Sequence, residues 1–187
     1  LRDVGDSEAW SEFVDVYSPL VYGFLRRRGL QDFDAADVTQ EVFSRISRSM
    51  PGFIYNREQG RFRDWLWTVT RNEIQRFRDR RKSRAAGSIE TIDETLAGLI
   101  TRGDSTEWND EFHRHIMATA MQRIESSFEP ATWRAFRLVW IDNLSALDAA
   151  ALLQQPVDFV YVAKSRVLKR LRDEVLVLAD DLALAAW

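Results

Sequence analysis

Cysteine is absent from the chain, which excludes a disulfide framework, a thiol nucleophile and a thiolate metal site. Nothing therefore argues for an oxidising compartment. No apolar run approaches the roughly 18–20 residues that a membrane span needs. The opening LRDVGDSEAW is too charged for a secretory signal, so the expected location is cytoplasmic. Internal repeats, low-complexity tracts and glycine-rich nucleotide motifs are also lacking. The two histidines, His113 and His115, stand two apart on a predicted helix and point in different directions, unlike the four-residue spacing of a helical metal pair. The acid pairs Asp34/Asp37 and Asp180/Asp181 have no accompanying base, nucleophile or phosphate loop, which leaves them surface roles. No catalytic residue, metal site or cofactor is expected.

What is present is a 187-residue chain, 45% hydrophobic and 29% charged, enough for one or two ordinary globular domains. Its net charge of −3 would by itself discourage a nucleic-acid reading, because sequence-independent DNA binding comes from Lys and Arg neutralising phosphates. The average hides a segmentation. Residues Arg57–Arg84 hold ten Arg or Lys against four acids, a net +6, whereas Ala85–Phe112 hold one base against seven acids, a net −6. That pattern predicts a basic interaction surface followed by a solvated linker.

Helical periodicity runs throughout, and no stretch alternates as a strand would, so the expected class is all-α. A first helix over about 7–28 buries Trp10, Phe13, Val14, Tyr17, Val21 and Leu25; Pro19 lies within it and Gly29 ends it. A second, about 33–49, turns Ala36, Val42, Phe43 and Ile46 inward and Asp37, Gln40, Glu41, Ser44 and Arg48 outward. Pro51 and Gly52 close it, and GFIYNREQG forms a loop. A third, about 60–82, faces Phe62, Leu66, Val69 and Phe77 inward. Residues 85–106 read as an acidic linker. Beyond it, a helix from Glu107 buries Phe112, Ile116, Met117, Ala120 and Ile124. The next starts at Pro130 and carries Trp133, Phe136 and Trp140, with Asn143 as a left-handed stop. Ser145, with Asp148 three residues on, caps a short helix. A last helix begins near Val157 with a seam of Val160, Val167, Leu168, Leu171 and Val175. Short helix, tight turn and long basic helix make a helix-turn-helix outline.

Two helices carry candidate chemistry. On the third, Trp67, Arg71, Ile74, Gln75 and Arg78 recur at steps of three or four. Cations that follow a backbone beside a ring that stacks on unpaired bases suit single-stranded DNA; the competing reading is a solvated charged face with Trp67 in the core. On the last, Asp158, Val162, Ser165, Lys169 and Arg172 form a stripe, with Lys164 and Arg166 alongside. In a helix-turn-helix the early residues reach base edges and later cations hold phosphates, although basic helices are also common on ordinary surfaces.

The ordered set DAADVTQEVF at 34–43, FRDWLWTVTRNEIQRFRDRRKSR at 62–84, an acidic linker and VYVAKSRVLKRLRDEV at 160–175 resembles the extracytoplasmic-function sigma factors of bacterial RNA polymerase, over nearly the whole chain. The resemblance implies sigma domain two at 1–84, a linker at 85–106 and sigma domain four at 107–187. It implies that Asp37, Gln40, Glu41, Ser44 and Arg48 meet the beta-prime clamp helices of core polymerase, with the beta flap a further contact. Tyr55, Asn56 and Arg61, in the loop before the third helix, would hold a base flipped from the −10 element, and Arg63, Trp67, Arg71, Asn72, Gln75 and Arg78 would meet the melted strand. The −35 element would be read by Val162, Lys164, Ser165, Arg166 and Lys169. An anti-sigma factor or other regulator is a further partner that the family allows. Gln154 and Gln155 stand where the family often has glycine, and Asp158 and Phe159 are unusual near the reading end. The alternatives are a free-standing helix-turn-helix regulator and a helical protein-interaction adaptor. The apolar LVLADDLALAAW at 176–187 packs on the body, pairs with another protein or belongs to a truncated extension.

Overall fold

A computed structural model describes residues 7–49, 61–85 and 104–181. Among these residues there are seven α-helices and no strand: α1 (Ser7–Arg27), α2 (Asp32–Ser49), α3 (Phe62–Ala85), α4 (Asp104–Glu125), α5 (Pro130–Trp140), α6 (Ala146–Leu153) and α7 (Val157–Leu176), with a wider π-turn over Val177–Asp181. The all-α expectation holds. The chain divides into two compact units, residues 1–115 with 179–187, and residues 116–178.

In the first unit α2 packs on both α1 and α3. Their shared core is aromatic: Phe13 lies 5.0 Å from Tyr17, 5.9 Å from Phe43 and 6.0 Å from Phe62 between ring centroids, mostly tilted or edge-on. That geometry sets the positive edge of one ring against the negative face of the next. α1 runs unbroken through Pro19, whose missing donor is offset by the buried Val16, Tyr17, Leu20 and Val21 on either side. It ends at Gly29, φ 90°. Leu30 N–H donates to Leu25 O and Gly29 N–H to Arg26 O, the bond pair of a Schellman stop, with Leu30 buried beneath it.

α2 buries Ala35, Val38, Thr39, Val42, Phe43 and Ile46. Ala36, expected inside, is exposed, because the core arc is centred one residue earlier. On α3, Phe62, Leu66 and Ile74 are buried and Val69 and Phe77 half-buried. Thr70 and Glu73 are buried too. The Thr70 hydroxyl donates to Leu66 O at 2.8 Å, and Glu73 pairs with Arg76 and, at 3.2 Å, with Arg45 of α2.

The unit boundary falls inside α4, between His115 and Ile116, rather than in the acidic stretch before Glu107. Trp108 and Phe112 are the physical reason: both are buried, and Trp108 packs on α1 and α3 of the first unit.

In the second unit α5, α6 and α7 pack on one another. Trp133 and Phe136 are buried and Trp140 is 51% exposed, whereas Met117, expected inside, is 44% exposed. Pro130 opens α5, and Asn143 takes φ 56°. Ser145 Oγ accepts from Asp148 N–H at 3.1 Å and donates to the Asp148 carboxylate, the expected cap of α6. The turn that follows is held by Gln154 at φ 54°, with Gln155 N–H on Ala150 O at 3.0 Å. The departure from glycine thus leaves the turn's geometry in place. Phe159, the unusual aromatic, is half-buried against the Ala149, Ala150 and Val160 cluster.

Candidate nucleic-acid interface

The polar face of α2 stands as the sequence places it. Asp37, Gln40, Glu41 and Arg48 are exposed and Ser44 half-buried; Arg48 donates to Ser44 Oγ at 3.1 Å. Beside this face, a groove of about 810 Å³ opens between α1 and α2, walled by Trp10, Val14, Tyr22 and Phe43 and edged by Gln40 and Arg48. Phe33 is 78% exposed one turn before Asp37 on the same helix. Sequence reasoning passed over it, although its four-residue step to Asp37 was available as a signal.

The face of α3 is narrower than its spacing suggested. Arg71, Asn72 and Gln75 are exposed, and Gln75 donates to Asp79 at 3.1 Å. Ile74, expected beside them, is fully buried. Trp67 is half-buried, its ring 5.4 Å from both Phe24 and Trp108. Arg78 is half-buried with its Nε unbonded. Arg63 has only 14% of its side chain exposed and bonds to Asp64 and His113. Arg81 pairs with Asp34 at 2.8 Å, which ties the basic end of α3 to the start of α2. Arg80 and Lys82 remain exposed. Arg61 is exposed just before the helix; Tyr55 and Asn56 lie outside the described residues.

In the second unit α7 buries Val160, Ala163, Val167 and Leu171, and turns Val162, Ser165, Arg166, Lys169 and Arg172 outward. Lys164 is half-buried with its ammonium 5.8 Å from the centroid of the Trp140 ring, a cation–π contact that draws it from the stripe. Tyr161, 59% exposed beside Val162, shares this outward side of the helix, and sequence spacing passed over it. Asp158 sits in the first turn, where a carboxylate is favoured by the helix dipole. Glu174 anchors the far end between Arg123 at 3.6 Å and Arg170 at 3.3 Å.

The first unit carries a polar helix with a basic helix packed on it, and the second a capped helix-turn-helix. The family model for sigma-70 region 2 matches residues 13–84, which are α1, α2 and α3. Relatives match along almost the whole chain. It is 27% identical over 185 residues to "ECF RNA polymerase sigma factor SigE" of Mycolicibacterium smegmatis, covering 97% of this chain and 68% of that one. It is 26% identical to SigW of Bacillus subtilis, described in the same words, over 90% of this chain and 92% of that one.

Residues 13–84 match sigma-70 region 2, and along its length the chain is similar to extracytoplasmic-function sigma factors.

A third such sigma factor, BldN of Streptomyces coelicolor, is 25% identical over 95% of this chain and 63% of its own length. A solved structure of an RsbN-BldN complex aligns with 92% of this chain and 98% of that one, at 20% identity and a TM-score of 0.33. That score is too low for the geometry of one chain to inform that of the other. Among the described residues no helix is long and apolar enough to cross a membrane.

Proposed function

We infer that this chain is a dissociable specificity subunit of RNA polymerase, catalysing nothing itself but directing the core enzyme to promoters and assisting DNA opening in the cytoplasm. The observation that carries this reading is the pairing, on one unit, of an exposed acidic-polar face on α2 with an exposed Arg71–Asn72–Gln75 face on α3, within the span that matches sigma-70 region 2.

The residues divide the work by chemistry. Asp37, Gln40 and Glu41 offer carboxylate and amide acceptors to a basic helical partner, for which the beta-prime clamp helices are the proposed occupant. Arg61 and Arg71 neutralise strand phosphates, and Asn72 and Gln75 hydrogen-bond to unpaired base edges. Arg63, Trp67 and Arg78 need local rearrangement to join them. On α7, Val162 supplies an apolar contact suited to a thymine methyl, Ser165 and Arg166 reach base edges, and Lys169 holds phosphate. Those assignments give residues 1–84 the −10 role and α6–α7 the −35 role, with the beta flap a second site on core. An anti-sigma factor or other regulator would act by covering one of these faces.

Run-off transcription with core polymerase and a genomic promoter library tests the inference. Transcripts that start only when this protein is added are the expected result; a library with no dependent transcript sinks it.

A further inference from the structure

The first three turns of α4, Asp104 to His115, carry four acids and a single arginine, and they pack within the first unit against the end of α1 and the start of α3. Trp108 is fully buried. Its ring stacks on Trp67 at 5.4 Å and 30° and meets Phe24 edge-on at 5.2 Å, while its indole N–H donates to Arg63 O at 3.2 Å. Glu111 pairs with Arg27, and Glu107 with Arg28 at 2.6 Å. His113 Nε2 lies 2.8 Å from the Arg63 guanidinium.

These contacts repeat the chemistry by which a single strand is held: aromatic plane on aromatic plane, and anionic oxygen on guanidinium. Packing alone does not call for the acids, because Trp108 and Phe112 already supply the buried surface. The acids match instead two arginines, Arg27 and Arg28, that flank the stacked ring. We propose that the Asp104–His115 segment is an internal stand-in for melted promoter DNA. Trp108 occupies the place of an unpaired base on Trp67, Glu107 and Glu111 occupy the places of phosphates on Arg28 and Arg27, and single-stranded DNA gains this surface only by displacing the segment. Arg27 and Arg28 of α1 thereby become strand contacts in addition to those on α3. The proposal rests on the reading of α3 as the strand-binding helix.

Since only molecules with the segment lifted are competent, the free chain's apparent affinity is reduced by the lifted fraction. The test uses the full chain and a fluorescein-labelled oligothymidylate of about twelve nucleotides, because stacking on bases is sequence-tolerant. Binding is read by anisotropy, and Asp104–His115 amide exchange is followed with and without the strand. Glu107→Gln with Glu111→Gln, and separately Trp108→Ala, should each bind roughly tenfold more tightly than the parent, and strand binding should speed exchange across Asp104–His115 in the parent. Should Trp108→Ala fail to fold, the double glutamine variant, which keeps the stack, decides alone. Arg71→Glu is introduced into each background. If it abolishes binding throughout while the glutamine variant is no tighter than the parent, the stand-in is overturned and the strand-binding reading survives. If Arg71→Glu changes nothing, the strand-binding reading falls and the stand-in falls with it.

Discussion

Gln154 carries the turn of the helix-turn-helix in a left-handed conformation, φ 54°, that costs an L-residue with a Cβ about 1–2 kcal/mol and glycine almost nothing. Gln154→Gly should therefore raise the stability of the second unit by about 1 kcal/mol, measured by urea unfolding; an unchanged or lower midpoint would mean that the glutamine side chain compensates. Tyr22 supplies a second test. Its hydroxyl donates to Asp32, and that hydrogen bond, then burial and the Asp32 charge, push the phenol above its ordinary value, against a smaller opposing effect of Arg26. A folded value above the unfolded one means that the stabilisation is complete below about pH 10. It is lost as pH rises through the raised value. Ultraviolet titration of the parent minus Tyr22→Phe should show one phenol ionising above the ordinary tyrosine range, and a difference midpoint at or below it would refute the contact. At this scale Gly29, Ser145 and Asn143 were legible in the sequence, because caps and stops depend on immediate neighbours. Ile74 was not, and Trp67 stood open between a stacking ring and a core one. α3 buries Thr70 and Glu73 along with Leu66 and Ile74, and a buried arc containing a threonine and a glutamate leaves no trace in hydrophobic periodicity.

The contacts proposed for α3 and α7 differ in kind, so their variants should too. About four cations of α3, counting Arg71, Arg80 and Lys82 as already exposed and Arg78 as recruited, give an expected slope of about −3 for log affinity against log salt on a single strand. A flat dependence in the full chain would contradict the face. On α7, Arg166→Ala should relax preference at a −35 position by about 1–3 kcal/mol, whereas Lys169→Ala should weaken all duplex sequences alike and lower the salt slope by about one. Equal effects on every sequence from both variants, measured in the polymerase-bound state, would leave Arg166 without a reading role. The outlines of these helices follow from the sequence because three- and four-residue steps are local. The width of each exposed face does not: Arg81 is held by Asp34 of α2 and Lys164 lies over Trp140 of α5, both pairings made across elements.

For the whole molecule the main prediction is a separation of functions. Asp37→Arg with Glu41→Arg should abolish transcription by removing core binding, while leaving oligothymidylate binding by the isolated protein within about twofold, since the changed face is on α2 and the proposed strand face on α3. Sedimentation with core polymerase and anisotropy with the oligonucleotide check the two halves. Parallel loss of both would mean that the faces are not independent. The charge segmentation that marks the sequence also takes on a use at this scale. The acidic residues beyond the basic helix are not all solvated linker, because Glu107 and Glu111 return to Arg28 and Arg27.

By itself the sequence determined the all-α class, the helix starts and stops, the order of acidic-polar helix, basic helix and helix-turn-helix, and thereby the resemblance to a family. Each of these follows from spacing within one helix or from the linear order of motifs. Only the tertiary structure decided which arc of α3 is covered, that α4 belongs to the first unit as far as His115, and that Trp67 lies against Trp108. The physical reason is range. The Trp108 indole bonds to a backbone carbonyl 45 residues away, and such a partner is selected by shape and desolvation in the packed state, which no local periodicity encodes.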